Sequence, residues 1–365
     1  MPRADGAAFR FFAIYVVALP LCLVPIFLCF NLFLFGGNET AQRMLMRFGR
    51  APADVAYFGD SVIRGRSSCD TDERGIDDYL RDLTGASVAL IAHPGYSVRQ
   101  FSALVGLFNV TAHAPKVALL PFNLRSLSVT WGENPGWQFG AETYYVRALS
   151  GELSAAPRFV FAKLTADPQS DLAEWRDRVV AYQGRTLGRL GDLVAQSAGV
   201  PLDIECAGNE ARYAQQLGVM YRLHYLTEMA SNHPLLAELA DTVGRLREAG
   251  IAPIVYLTPI NVADAERYGG PSVGQAIRSN AALVAETAGR LGVPVLNLAT
   301  DLAAGDFADR GCACEHLTAA GRRYVAERLA PLVNSSGSRS DAASPAASPA
   351  LRQTNSFTSP NCMGT

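Results

Sequence analysis

The sequence predicts a three-layer α/β domain built on a parallel sheet, with a helical insertion and one N-terminal transmembrane helix before it. Three observations lead there. After residue 53, short and almost wholly apolar runs alternate with longer helical segments, and continuous apolar strands suit a parallel sheet covered on both faces. About 130 residues separate the third run from the fourth, where one crossover helix would suffice. The 28 residues between Arg10 and Glu39 carry no charge.

The amino end comes first. Residues 1–10 form a short N-terminal segment, 11–36 read as a transmembrane signal anchor, and 37–52 as a linker. About 20 apolar residues cross a bilayer, whereas the apolar part of a cleavable signal spans roughly 7 to 15 and ends at a small-residue site. No such site follows Phe35. Pro20 and Pro25 would break a soluble helix but are tolerated in lipid, so the bilayer is an expected partner through residues 11–36. Arg3 and Arg10 precede the span while Arg43, Arg47 and Arg50 follow it, and the charge rule barely decides orientation. Cys22 and Cys29 lie in no lipid-attachment context.

The strand candidates are Val55 to Gly59, Val88 to Ala92, Val117 to Pro121, Pro253 to Thr258 and Pro294 to Leu298. Helices are expected over Ile76 to Leu83, Val98 to Val110, Leu172 to Ala198, Ala211 to Glu248, Gln275 to Leu291 and Ala319 to Leu332. The domain so defined covers 53–333, with the helical insertion at about 124–250. Beyond Val333 the chain turns to Ser, Ala, Pro, Asn and Thr, and 334–365 reads as a disordered tail.

Composition narrows the function classes. Of 365 residues 49% are hydrophobic and the mean hydropathy is +0.10, which excludes a wholly disordered chain. Charged residues make up 18%, against about 25% in an average soluble protein. The net charge of −2, with Lys116 and Lys163 the only lysines, offers no field for nucleic acid.

Chemistry-bearing residues gather at element ends. Gly59, Asp60 and Ser61 close the first strand. Pro94, Gly95, Tyr96 and Ser97 follow the second, and Pro121, Phe122, Asn123, Leu124 and Arg125 the third. Glu315, His316, Leu317, Thr318 and then Gly321 precede the last helix. At the carboxyl ends of parallel strands a tight turn exposes a side chain, and the next helix offers free N–H groups. A plainer reading makes Ser61 a helix cap, Gly95 a loop glycine, Asn123 a turn residue and His316 a helix-entry residue.

These four blocks, in this order, resemble the SGNH (GDSL-type) hydrolases over roughly residues 54–333. The resemblance implies a flavodoxin-like α/β fold and a serine esterase or O-acyltransferase working through an acyl-serine intermediate. It assigns Ser61 as nucleophile and His316 as general base. The backbone N–H groups of Ser61 and Gly95 and the side-chain amide of Asn123 would receive the oxyanion. No metal and no organic cofactor is implied. The substrate would be an ester-bearing envelope glycan or lipid, with a polysaccharide-modifying complex as a further partner. The expected location is the inner membrane, single-pass, with the catalytic domain on the periplasmic side. One position departs from the pattern: the acid three residues before the histidine is here Ala313. Glu315, Asp309 or a backbone carbonyl is left to orient His316, and loss of an orienting acid costs orders of magnitude in rate. The alternative is a catalytically degenerate domain that binds or scaffolds envelope polysaccharide.

Two further groups belong to the expected cleft. Cys69 follows Ser61 in the chain and Cys312 and Cys314 precede His316, so a disulfide between Cys69 and one of that pair is one reading and free buried cysteines the other, with the pairing among Cys69, Cys206, Cys312 and Cys314 left open. Cys312 and Cys314 lack a second ligand pair at zinc spacing. Trp131, Trp137 and Trp175, with Glu142, Tyr144 and Tyr145, form either the core of the insertion or a platform for a sugar ring or acyl chain.

Overall fold

The computed structural model describes residues 23–24, 38–65, 70–128, 139–165, 210–226, 229–308, 313 and 315–342. All five expected strands form: β1 (Val55–Gly59), β2 (Val88–Ala92), β3 (Val117–Phe122), β4 (Ala252–Leu257) and β5 (Val295–Asn297). They pair in parallel in the order 2-1-3-4-5. This is the order of flavodoxin-like doubly wound sheets, whose ligand crevice lies beyond the strand ends where the order reverses. That point falls at the end of β1, at Asp60 and Ser61.

Among the described residues the main helices are α1 (Glu39–Arg50), α2 (Ser61–Arg64), α3 (Ile76–Thr84), α4 (Val98–Val105), α5 (Gly140–Leu149), α6 (Ala155–Thr165), α7 (Glu210–Tyr225), α8 (Pro234–Glu248), α9 (Pro271–Arg290) and α10 (Ala319–Ala342), with a short helical turn at Val262–Asp264 that runs into a π-helical one at Ala265–Gly269. Alternation along each strand divides the core into two layers. Val55, Tyr57, Val117, Leu119, Ile254 and Tyr256 face α3 and α10, where Leu80, Val325 and Leu329 meet them. Ala56, Phe58, Ala118, Leu120, Val255 and Leu257 face the opposite layer, supplied by Phe48 of α1, Phe101 of α4, Leu239 of α8 and Ile277 of α9. Burying a side chain such as Phe58 contributes about 2 kcal/mol.

Several boundaries differ from the sequence expectation, each for a local reason. The segment expected as a linker holds α1: the Asn38 side chain accepts the Ala41 N–H at 2.8 Å, and Ala41, Met44 and Phe48 recur on one buried face. The single helix expected from 211 to 248 is two, because Pro234 occupies the first turn of α8 behind the His233 cap. The helix expected over 98–110 tightens after Val105 into a 3₁₀ turn, Gly106–Val110. α10 continues to Ala342 through Pro331, anchored by Leu329 and Val333 in the core. The insertion between β3 and β4 carries α5 to α8. The helix expected over 172–198 and, apart from Leu23 and Val24, the span over 11–36 lie outside the described residues. Among the described residues no helix is long and apolar enough to cross a membrane.

Candidate active site

The end of β1 is joined to the end of β3 by one buried side-chain pair. Asp60 caps α2, its Oδ1 accepting the Val62 N–H at 2.9 Å. Its Oδ2 accepts from Asn123 Nδ2 at 2.9 Å. Asn123 Oδ1 in turn accepts the Arg125 N–H at 3.0 Å. With its oxygen held by a donor and its nitrogen by a carboxylate, the Asn123 amide has one orientation and one further N–H to give. Ser61 follows Asp60 directly and opens α2. A cavity of about 10 Å³, room for roughly one water, lies beside Asp60, Tyr96 and Asn123.

The loop after β2 is a tight turn on the same edge of the sheet. The His93 carbonyl accepts the Tyr96 N–H at 3.2 Å, with Pro94 and Gly95 between them and Gly95 at φ +84°. That is the type II pattern, proline then a residue of positive φ, which glycine adopts without steric cost. The His93 N–H reaches back to the Gly59 carbonyl at 3.2 Å, tying this turn to the end of β1.

His316 arrives from the far end of the domain. Its carbonyl accepts the Ala308 N–H at 2.7 Å, and Phe307 bridges Leu317 in antiparallel register. The Arg322 guanidinium, fully buried, donates to the Leu317 carbonyl at 2.7 Å and to Asp70 Oδ2 at 2.9 Å, and takes the carbonyls of Asp72 and Arg74 as well. It thus clamps the segment after His316 to the loop that leaves α2. The imidazole packs over Gly65: a Cβ there would meet the ring edge, with His316 Cγ at 2.5 Å and the Ser61 carbonyl oxygen at 2.8 Å. His316 and Ser61 therefore flank one bare Cα.

Glu315, one candidate for the orienting acid, sends its carboxylate elsewhere. Its backbone does take the left-handed conformation, φ +58°, that is rare for a residue with a side chain. Its Oε2 lies 3.0 Å from Arg125 Nη1, and both side chains are buried. The same Nη1 donates to the Ala313 carbonyl at 3.0 Å. Two more groups complete the cluster, the buried Tyr225 and the half-buried His224. Burial, reinforced by the Glu315 carboxylate, pushes the Tyr225 phenol well above its usual range. Burial, then the Arg125 charge, pushes His224 down to about 3, against the effect of its hydrogen bond to the Ala313 backbone.

Asp309, the other acid candidate, lies outside the described residues, as do Cys69, Cys206, Cys312, Cys314, Trp131, Trp137 and Trp175. Tyr145 is buried against Phe159, ring centroids 5.4 Å apart, while Glu142 and Tyr144 are partly exposed on α5. Ser61, Gly95 and Asn123 stand at the carboxyl ends of three adjacent strands, and His316 reaches the first of them.

No family model matches the chain, and no curated protein does. Among solved structures, two variants of Axe2, an acetyl-xylooligosaccharide esterase of Geobacillus stearothermophilus, are similar at TM-scores of 0.37 and 0.38, with 12% and 10% identity. A catalytic mutant of the same protein, described as an acetylxylan esterase, has a TM-score of 0.38 and 11% identity. Each alignment covers 77% of this chain and 94% of the other.

Three residues of the site, Gly65, Arg322 and His93, are not marked out by any sequence block. Gly65 carried one signal, its place four residues after Ser61, one helical turn away. Arg125 belongs to the third block but nothing in the sequence pairs it with Glu315, and Arg322 and His93 have no motif of their own.

Proposed function

We propose that the domain is an SGNH-type serine esterase or O-acyltransferase. The observation that carries the reading is Gly65, which closes the single helical turn begun at Ser61 and over which the His316 imidazole packs from the far end of the domain. Ser61 Oγ attacks the ester carbonyl while His316 takes its proton. The carbonyl oxygen, now negative, receives the N–H groups of Ser61 and Gly95 and the remaining Asn123 amide N–H, each such donor typically contributing a few kcal/mol to barrier reduction. His316 returns the proton to the departing alcohol, leaving an acyl-serine. Water, or the hydroxyl of an acceptor, then gives up its proton to His316 and takes the acyl group, and His316 passes that proton to the departing Ser61 Oγ. The substrate in this reading is an acyl or acetyl ester of an envelope glycan or lipid. Residues 11–36 would anchor the domain in the inner membrane with the cleft on the periplasmic side, supported by the uncharged stretch from 11 to 38.

A second reading, binding of a glycan without turnover, is favoured by one observation: the acid position is Ala313, and Glu315 is committed to Arg125. A serine-reactive fluorophosphonate separates the two. Labelling that disappears in Ser61→Ala, together with hydrolysis of an acetyl ester, is expected of the enzyme. A well-folded wild type that neither labels nor hydrolyses would overturn it in favour of binding.

A further inference from the structure

The turn that carries Gly95 contains a hydrogen bond with a directional consequence. His93 Nδ1 lies 2.8 Å from the carbonyl oxygen of Pro94. A carbonyl only accepts, so Nδ1 carries the proton. The described peptide bonds are all trans, and in a planar trans peptide the C=O and the following N–H point in opposite directions. Holding the Pro94 carbonyl on one side of the turn therefore fixes the Gly95 N–H on the other.

That peptide needs holding. Type I and type II turns differ by a flip of the central peptide, and glycine at the third position accepts both signs of φ. Pro94 followed by Gly95 favours the type II arrangement, but only by a local preference that leaves the flipped peptide accessible. The imidazole itself is braced: its ring lies 4.8 Å from Tyr96 at 33° and 5.4 Å from Phe139 at 85°. Tyr96 packs edge-on to Phe139 at 5.1 Å, and its hydroxyl takes a hydrogen bond from Asn38 Nδ2 at 2.5 Å. The His93 backbone is tied to Gly59 at the end of β1.

We propose that His93 is a positioning residue for the oxyanion pocket, its Nδ1–H holding the Pro94 carbonyl so that the Gly95 N–H faces the reacting ester. The inference rests on the reading of the site as an acyl-transfer centre. A deleted oxyanion donor typically costs 10²- to 10³-fold in kcat; a donor that swings between two orientations costs less, about tenfold.

Two substitutions separate the hydrogen bond from the ring. His93→Asn puts an amide N–H close to the position of Nδ1 and removes the ring, whereas His93→Phe keeps the ring and removes the donor. His93→Gln, whose amide sits one bond further out, replaces His93→Phe if that variant melts early. With the full chain and an acetyl ester, His93→Phe is expected to lower kcat about tenfold with KM within about twofold of wild type. His93→Asn is expected to stay within about threefold in kcat. The reverse ranking, or equal rates in both variants at any level, would overturn the proposal and leave His93 as packing. A wild type that neither labels at Ser61 nor turns over ester overturns the reading of the site itself, an outcome distinct from an active enzyme with the wrong ranking.

Discussion

Arg125 Nη1 lies 3.0 Å from Glu315 Oε2, with 2% and 1% of the two side chains exposed, and this ion pair spans from the third block to the residue before His316. Breaking a buried pair by removing one partner leaves an uncompensated charge and costs about 3–5 kcal/mol, whereas removing both costs far less. Arg125→Met is therefore expected to lose about that much stability in urea unfolding. The double change R125M/E315Q should recover at least about half of the loss. A double variant as unstable as the sum of the single changes would mean the two groups do not interact. Because Arg125 also holds the Ala313 carbonyl, the single variant should lose activity even where it remains folded.

Gly65→Ala is expected to remove activity without removing the fold. The Gly65 backbone, φ −60° and ψ 132°, is one any residue adopts, so the substitution introduces no backbone strain. Its only cost is steric, against the His316 ring and the Ser61 carbonyl. A displacement of the base by about 1 Å costs on the order of 10²-fold in rate. Unchanged circular dichroism with a kcat lower by about that factor is the expected result. Wild-type kcat would show that the ring lies elsewhere during turnover.

How much of this could be read from the chain depends on the range of the interaction involved. The apolar runs at Val55, Val88 and Val117 named their strands because strand pattern and burial are local properties. Those strand ends then carried Ser61, Gly95 and Asn123 to one edge of the sheet. The break between α7 and α8 was written in Pro234, a strong local signal that the long apolar periodicity outweighed. Helix α1 was missed because the polar and arginine-rich surface of 39–50 obscured the three buried positions Ala41, Met44 and Phe48. The destination of Glu315 was not legible at all. A carboxylate beside a histidine has two places to go, and the choice was made by Arg125, nearly two hundred residues earlier in the chain.

The Asp60 and Asn123 pair makes an exchange of the two side chains informative. Asp60→Asn alone sets two amide nitrogens against each other unless one amide turns, which then costs the bond to Val62 or Arg125; a loss of about 1–3 kcal/mol is expected. In D60N/N123D the donor and acceptor are reversed but the bond can form, and an oxygen still faces both backbone N–H groups. Stability should return to within about 1 kcal/mol of wild type. Activity should not return, because position 123 then has no N–H for the oxyanion. Restored activity would remove Asn123 from the oxyanion pocket.

His224 makes acid stability a measurable property of the cluster beneath the His316 loop. Its folded pKa is about 3, against 6.5 for the free side chain. Below about pH 6.5 the unfolded chain takes up a proton at this residue and the folded chain does not. Unfolding is therefore favoured progressively as pH falls from about 6.5 towards 3, by at most about 1.4 kcal/mol per pH unit. Carboxylates with lowered values, Asp54 and Asp72, act in the same direction, but they titrate from the ordinary carboxylate range downward, so the window from 6.5 to 4.5 is left to the histidine. His224→Gln retains an amide donor for the Ala313 carbonyl and cannot be protonated in this range. It is expected to be less stable than wild type at pH 7.5, with urea midpoints that converge with those of wild type, or cross them, by pH 4.5. Parallel midpoints over that range would mean that His224 takes up its proton as readily in the folded chain as in the unfolded one.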